Sequence, residues 1–139
     1  MNFDHRKVRQ AGAIAVRRAD KRHEVCLVRK RSGKGWGIPK GIIEPRHTIE
    51  DTALKETWEE AGLKGRLVGE ALGAYEAEKG GNTFSVVIFL MEVLEEHDEW
   101  PEADWRERRW TSFRKADALL EDHPVRPLLD RARDALDDR

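Results

Sequence analysis

The feature that most constrains the fold is an almost unbroken apolar run, TFSVVIFLMEVL, at residues 83–94. A strand of this composition has to be covered on both faces, as inner strands are when a sheet carries helices on each side. We therefore expect this run at the centre of the sheet. Residues 66–78, RLVGEALGAYEAE, predict a second long strand before it.

Shorter segments place strands before, between and after helices. Residues 11–16 and 24–28 predict an N-terminal hairpin with a charged turn at 17–23. Residues 29–41 are rich in glycine and cations, which is typical of a loop rather than of a helix or strand. The remaining segments are an acidic loop at 95–105, a short strand at 106–113, a short helix at 114–122 and a final amphipathic helix that buries Val125, Leu128, Leu129, Ala132 and Leu136. This order predicts an α/β fold whose mixed sheet is covered on both sides.

Length and composition limit the class of protein. The chain of 139 residues fits one domain, 1–139, with a single core. No apolar stretch approaches the about 18 residues of a membrane span, and the first residues lack the apolar region of a secretory signal, so we expect a cytoplasmic protein without membrane contact. The single cysteine, Cys26, lies in a predicted strand and is expected to pack in the core rather than to react.

The net charge of −1 conceals an uneven distribution. Residues 1–46 contain thirteen Lys and Arg against four Asp and Glu, whereas the remainder contains thirteen against twenty-three. The first part could attract anions and the second could attract metal cations. Charge alone, however, is more often explained by two solvated surfaces without any ligand.

A helix is predicted from residue 48 onward. Thr48 and Asp51 have the spacing of a capping box, and Gly62 suits the C-terminal end of a helix. Between these limits the apolar positions recur at helical spacing, and we expect them to be buried on one side of the helix: Leu54, Trp58 and Ala61.

The other side of this helix carries three glutamates, Glu56, Glu59 and Glu60. At about 100° per residue, all three project in one direction. Hard divalent cations bind several oxygen ligands, and carboxylates one turn apart on a rigid helix supply them at a fixed separation. An acidic helix face on its own is more often solvated surface, so the residues upstream decide between the two interpretations.

Residues 41–63, GIIEPRHTIEDTALKETWEEAGL, resemble the Nudix box of hydrolases that split nucleoside diphosphates linked to another moiety. The box is a glycine, a glutamate further on, and then the run Arg-Glu-aliphatic-x-Glu-Glu-x-Gly-aliphatic. The matching positions are Gly41, Glu56, Glu59, Glu60, Gly62 and Leu63. The resemblance implies an α/β/α sandwich with a mixed central sheet and a metal-dependent hydrolase.

Three positions depart from the box: His47 replaces glutamate, Lys55 replaces arginine and Thr57 replaces an aliphatic residue. In the family this glutamate and arginine help to hold the catalytic carboxylates, and His47 and Lys55 cannot form the corresponding anion–cation pair. Lys55 keeps a positive charge but lacks the planar fork that binds a carboxylate in two places. The departures leave open a catalytically weakened domain that binds nucleotides or phosphorylated ligands. They also predict that His47→Glu combined with Lys55→Arg raises activity.

Matched positions imply roles for the surviving carboxylates. Glu56 and Glu60 would bind Mg²⁺ or Mn²⁺, while Glu59 would act as general base or orient the attacking water. Lys55 belongs to the catalytic group by its place in the box. Some family members use a base outside the box, and four glutamates are candidates for it: Glu76, Glu78, Glu95 and Glu96.

Most of the remaining chain resembles the diphosphoinositol polyphosphate and diadenosine polyphosphate hydrolases. Such substrates are highly anionic, and the basic first third of the chain offers cations around a glycine-rich loop. The expected substrate-binding residues are Arg9, Lys30, Arg31, Lys40 and Gly41. The implied partner is a polyphosphorylated small molecule; the sequence contains no nucleic-acid-binding motif, and it leaves a homodimer open. Trp36 could stack on a base, but a tryptophan flanked by glycines more often anchors packing.

Overall fold

The computed structural model describes residues 3–137 as a mixed sheet with helices on both faces. A short 3₁₀ helix, His5–Lys7, comes first. The elements that follow in chain order are β1 (Val8–Ala19), β2 (Arg22–Arg29), β3 (Trp36–Gly37), β4 (Lys40–Ile42), α1 (Ile49–Ala61), β5 (Leu63–Lys79), β6 (Asn82–Glu96), β7 (Arg108–Ser112), α2 (Phe113–Leu119) and α3 (Arg126–Asp137). The predicted α/β class, with an α/β/α arrangement and a mixed sheet, is confirmed.

The sheet has seven strands, five of them in the order β3-β2-β1-β6-β5. Strand β4 pairs with β1, and β7 pairs with β2. The pair β1–β6 is parallel and the other pairs are antiparallel. Strand β6, which contains the apolar run 83–94, is an inner strand as expected, but the middle of the path is β1. Residues 11–16 of β1 are all buried: Ala13 and Ala15 pack on the α1 side of the sheet, and Ile14 and Val16 pack on the other side.

Two sequence predictions near the N-terminus need correction. The hairpin β1–β2 forms, but its turn is only residues 20–21, since pairing continues to Ala19 and Arg22. Residues 29–41, predicted as loop, contain β3 and the start of β4. Pairing with β2 and β1 satisfies the backbone of these short strands despite their glycine content.

The sheet separates two apolar layers. The larger one lies between the sheet and helices α2 and α3, and it includes the predicted apolar positions of the last helix, from Val125 to Leu136. Trp36 is also part of this layer, which supports packing rather than base stacking. Cys26 lies in the layer beneath α1, where burial raises its thiol pKa to about 12 and keeps it protonated. Within residues 3–137 no helix is long and apolar enough to cross a membrane.

Helix α1 begins and ends at the predicted residues. The Thr48 hydroxyl accepts a hydrogen bond from the backbone N–H of Asp51 at 2.9 Å, and Gly62 takes the left-handed conformation, with φ 69° and ψ 30°. The predicted buried side was incomplete. Ala61 is buried and Leu54 and Trp58 are half-buried, but the buried positions also include Thr52, Ala53, Thr57 and Glu60.

The burial of Thr57 accounts for one departure from the Nudix box. Its side chain is fully buried, and its hydroxyl donates to the carbonyl oxygen of Ala53 at 2.8 Å. A hydroxyl satisfied within its own helix leaves no unpaired polar group in the interior. Threonine can therefore replace an aliphatic residue here without disturbing the helix.

Replacing Gly62 with alanine should destabilise the protein by about 3 kcal/mol, measured as the free energy of unfolding in urea. Alanine would take a positive φ there, and its Cβ would lie 2.7 Å from the Trp100 ring. Gly80→Ala is the matched control, because Gly80 has φ 60° but nothing within 4 Å of the added Cβ. That control should cost about 1 kcal/mol. Equal losses of unfolding free energy in the two variants would show that steric contact with the Trp100 ring does not contribute to the loss.

Candidate functional site

A cavity of about 610 Å³ opens between α1, β4, the loop after β2 and the chain before α3. Its lining divides into an acidic wall and a basic wall. The acidic wall contains Glu44, Glu56, Glu59, Glu60 and Glu102, and the basic wall contains Lys30, Arg31 and Lys40. The cavity therefore contains both oxygen ligands for a cation and groups that attract anions.

Helix α1 presents its three glutamates to this cavity, as the box spacing predicts. Glu60 is the most deeply buried of them, and burial raises its carboxyl pKa to about 8 although the Arg106 guanidinium opposes the shift. Burial also raises the pKa of Glu56, and the nearby charge of Glu59 adds to the effect. The charge of Glu56 in turn raises the pKa of Glu60. Two carboxyl groups this close cannot both ionise without a proton or a cation between them.

A divalent cation fits this pair. Within residues 3–137, no three His, Cys, Asp or Glu side chains form a ready-made ligand set. Mg²⁺ is commonly bound by one or two carboxylates, with water and substrate phosphate completing its coordination. Glu56 and Glu60 both line the cavity with raised pKa values, and a cation bound between them would offset their repulsion.

Gly41 lies against one of these carboxylates. A Cβ at this position would overlap the side-chain carboxylate of Glu56, so no other residue fits while Glu56 keeps its place. Gly41 also lines the cavity, where it was predicted to bind substrate. The geometry adds a steric reason for the first glycine of the box.

Lys55 contacts three carboxylates. Its Nζ atom lies 3.2 Å from Glu44 Oε1, 3.7 Å from Glu59 Oε2 and 3.9 Å from Glu56 Oε2. The hydrogen bond to Glu44 raises the pKa of Lys55 and keeps the ammonium charged. His47 gives Lys55 no anionic partner, but Glu44 supplies one from the preceding loop. His47 is exposed and lies outside the cavity lining.

The cations of the basic wall are free of acidic partners. Among residues 3–137, Lys30, Arg31 and Lys40 form no ion pair with a carboxylate. Lys40 donates to Gln10 Oε1 at 3.1 Å, and burial lowers its pKa. The structure does not bring Arg9 to this wall: it lies outside the lining and donates to the carbonyl oxygens of Arg6 and Val8.

Glu102 and Arg106 line the cavity, and the sequence did not single out either of them as a site residue. They come from the acidic segment 97–106, which carries no box-like spacing. The four glutamates proposed as a base outside the box all lie away from the cavity lining: Glu76, Glu78, Glu95 and Glu96. Glu96, for example, pairs with Arg17 at 2.8 Å and accepts from Trp110 Nε1 at 2.9 Å.

Residues 97–108, which we call the capping segment, bind the C-terminal end of α1. The backbone N–H of Glu102 donates to Glu59 O at 3.1 Å, and Trp100 Nε1 donates to Glu60 O at 3.1 Å. The Arg108 guanidinium donates to Ala61 O at 2.8 Å. These donors satisfy carbonyls that a helix end leaves unpaired. A signal was present in the sequence, since Trp100 interrupts an otherwise polar stretch.

Tyr75 and His123 also line the cavity, and their rings meet edge to face at 5.4 Å. The Tyr75 hydroxyl is buried and has no hydrogen-bond partner within residues 3–137. His123 Nδ1 accepts from the backbone N–H of Val125 at 3.0 Å, which places the ring proton on Nε2. Burial, with Lys30 and Lys40 nearby, lowers the pKa of His123 to about 4.

The depressed pKa of His123 predicts a loss of stability on acidification. The unfolded chain binds a proton near pH 6.5, whereas the folded protein binds it only near pH 4, so the free energy of unfolding falls as the pH drops through this window. Allowing for solvent screening, the loss is about 1–2 kcal/mol. His123→Asn keeps an acceptor for Val125 but does not titrate. Urea denaturation at pH 6.5 and pH 4.5 should show a smaller loss in the variant, and parallel losses would contradict the assignment.

Comparison with known proteins identifies the family to which the chain belongs. The NUDIX domain model matches residues 7–132, and the chain belongs to the Nudix family. Nudix hydrolase 4 of Arabidopsis thaliana is 37% identical over 109 residues, covering 77% of this chain and 52% of that protein. Mouse diphosphoinositol polyphosphate phosphohydrolase 3-alpha is 30% identical over 124 residues, covering 87% of this chain and 74% of that protein.

Solved structures agree with the fold. A binary complex of Caenorhabditis elegans Ap4A hydrolase superposes with a TM-score of 0.77 at 20% identity, covering 95% of this chain and 99% of that one. The predicted resemblance to the diphosphoinositol and diadenosine polyphosphate hydrolases is thus confirmed as a likeness. The chain spans about half the length of the plant relatives that it matches, 52% and 55%.

Proposed function

We propose that the protein hydrolyses a phosphoanhydride bond in a polyphosphorylated small molecule, with a dinucleoside polyphosphate or an inositol pyrophosphate as the favoured substrate. The observation that carries this proposal is the pairing, within one cavity, of the box glutamates with three cations that have no acidic partners. Similar proteins named for these two substrate groups support the choice.

The basic wall would bind the phosphates. Lys30 and Arg31 are exposed at the cavity and can take charge-assisted hydrogen bonds to phosphate oxygens. Lys40 is half-buried nearer the glutamates and would contact the phosphate next to the scissile bond. Because several cations stand together without counter-ions, a substrate with several phosphates gains more than a single phosphate does.

The acidic wall would supply the chemistry. Glu56 and Glu60 would hold Mg²⁺ or Mn²⁺, which when bound neutralises phosphate charge and favours ionisation of water. Glu59 is less buried than Glu60, and as general base or orienting group it would accept a hydrogen bond from the attacking water. Lys55 would offset the repulsion between Glu56 and Glu59 and fix their positions through its contacts with both.

The alternative of a binding module without turnover is less favoured. It arose from the altered box, in which His47 and Lys55 cannot form the family's anion–cation pair. Because Glu44 occupies that place at 3.2 Å, the carboxylates keep a positioned cation beside them. The proposal also retains a single domain at 1–139 and a cytoplasmic location, with size-exclusion chromatography to decide between a monomer and a homodimer.

Glu59→Gln and Glu60→Gln should each lower kcat by about 100-fold or more, because amides neither bind a hard cation well nor accept a proton. Release of phosphate or nucleotide would be followed with Mg²⁺ or Mn²⁺ and a panel of diadenosine polyphosphates, inositol pyrophosphates, ADP-ribose, nucleoside triphosphates and 5′-triphosphate RNA. Glu50→Gln is the control, since Glu50 is exposed on the same helix and outside the cavity. Unchanged rates in both cavity variants would refute the assignment.

Glu44→Gln should lower kcat by about threefold, because an exposed ion pair contributes about 0.5 kcal/mol. The loss should vanish when Lys55 is first replaced by methionine, which a double-mutant cycle measures. His47→Gln is the control and should leave kcat unchanged. Since Lys55 already has a partner, His47→Glu with Lys55→Arg is no longer expected to raise activity; a large rise would show that the Glu44 contact is not the working pair.

A further inference from the structure

Arg106 is a buried guanidinium at the junction of the two cavity walls. Its side chain is only 8% exposed. Nε and Nη2 donate to Glu102 Oε1 at 3.0 and 2.9 Å, and Nη2 lies 3.9 Å from Glu60 Oε1. One planar group thus faces two carboxylates, one from α1 and one from the capping segment.

The same side chain also reaches the basic wall. Nη1 donates to the carbonyl oxygen of Arg29 at 2.8 Å, and the next two residues are Lys30 and Arg31. The ring of Trp105, which is 50% exposed, lies 4.5 Å from the Arg106 guanidinium and 5.0 Å from that of Arg31. Arg106 therefore touches the chain at the start of the basic loop and, through one ring, a second phosphate-facing cation.

The box itself does not provide a partner for Glu60. Lys55 lies near Glu44, Glu56 and Glu59, and within residues 3–137 the ion pair recorded for Glu60 is the one with Arg106. An ammonium group could not replace this arginine, because it has no planar fork that binds Glu102 and a backbone carbonyl at once.

We propose that Arg106 is a positioning residue that fixes Glu60 relative to Lys30 and Arg31, so that one guanidinium sets the separation between the metal-binding carboxylate and the phosphate-binding cations. This inference rests on the proposed function. It assigns to a residue outside the box the orienting task that the arginine of the box performs for other carboxylates. Partners that orient metal ligands typically change metal affinity or activity by about 10- to 100-fold.

The experiment is Mn²⁺ titration of the full chain without substrate, followed by electron paramagnetic resonance of the free ion. Arg106→Lys keeps the charge and removes the fork, and it should weaken Mn²⁺ binding about tenfold. Arg126→Lys is the matched control, because Arg126 forms a similar fork with Asp117, at 2.8 and 2.9 Å, away from the cavity. This control should bind Mn²⁺ as the unchanged protein does.

Glu102→Ala gives a second test that leaves the buried arginine in place. Glu102 is half-buried, and its removal deprives the guanidinium of its main acceptor. Glu102→Ala should also weaken Mn²⁺ binding. The double variant, Arg106→Lys with Glu102→Ala, should have an Mn²⁺ affinity no lower than that of the single variant with the lower affinity. Steady-state kinetics of Arg106→Lys should show a lower kcat together with a higher KM, since both walls lose their alignment.

The outcomes separate this inference from the function on which it rests. If Arg106→Lys and Glu102→Ala bind Mn²⁺ normally while Glu60→Gln does not, the positioning role is overturned and the proposed metal site stands. If Glu60→Gln also binds Mn²⁺ normally, the metal assignment fails and the positioning role fails with it. A loss of melting temperature without any change in Mn²⁺ affinity or in the KM and kcat of the folded variants would reduce Arg106 to a structural residue.

Discussion

The site depends on how the C-terminal end of α1 is held. The last carbonyl groups of a helix have no partner within it, and here they accept hydrogen bonds from the capping segment and from Gly62. The carbonyls so fixed include those of Glu59 and Glu60, whose side chains face the cavity. The same contacts bring Glu102 and Arg106 to the cavity wall. Loss of this cap would therefore disturb the acidic residues and their buried partner together.

Electrostatic conflict is concentrated in this small region. Glu56 and Glu60 would both carry negative charge in water, and burial raises both pKa values and so favours their protonated forms. On the facing wall, Lys30, Arg31 and Lys40 have no carboxylate partners among the described residues. Each wall is incomplete by itself, and a cation bound to a polyphosphate would complete both. Preformed fields of this kind require little rearrangement when a charged ligand arrives.

Local patterns in the sequence predicted the parts of the structure that local physics decides. The limits of α1 follow from Thr48 and Gly62, because capping and a left-handed turn depend only on neighbouring residues. The glutamates of the box follow from helical geometry. Glu102 and Arg106 could not be found in this way, since their contacts with Glu60 and Arg29 join residues distant in the chain. For the same reason the sequence does not show that Glu44 pairs with Lys55: only the folded loop shows which acid lies nearest.

The buried side of α1 carries a related lesson. The apolar spacing predicted that Leu54, Trp58 and Ala61 are buried. The structure also buries Glu60, which the capping segment covers, and Thr57, which lies on the side of the helix that faces the sheet. The spacing of apolar residues cannot predict the burial of a carboxylate, because that spacing describes only apolar side chains.

The glycine at position 41 has an evolutionary corollary. The volume that a methyl group would need there is already filled by the Glu56 carboxylate. The residues that position 41 can accept therefore depend on whether Glu56, fifteen positions downstream, is kept. A larger residue at position 41 would force the Glu56 side chain to move, so we expect the residues at these two positions to vary together.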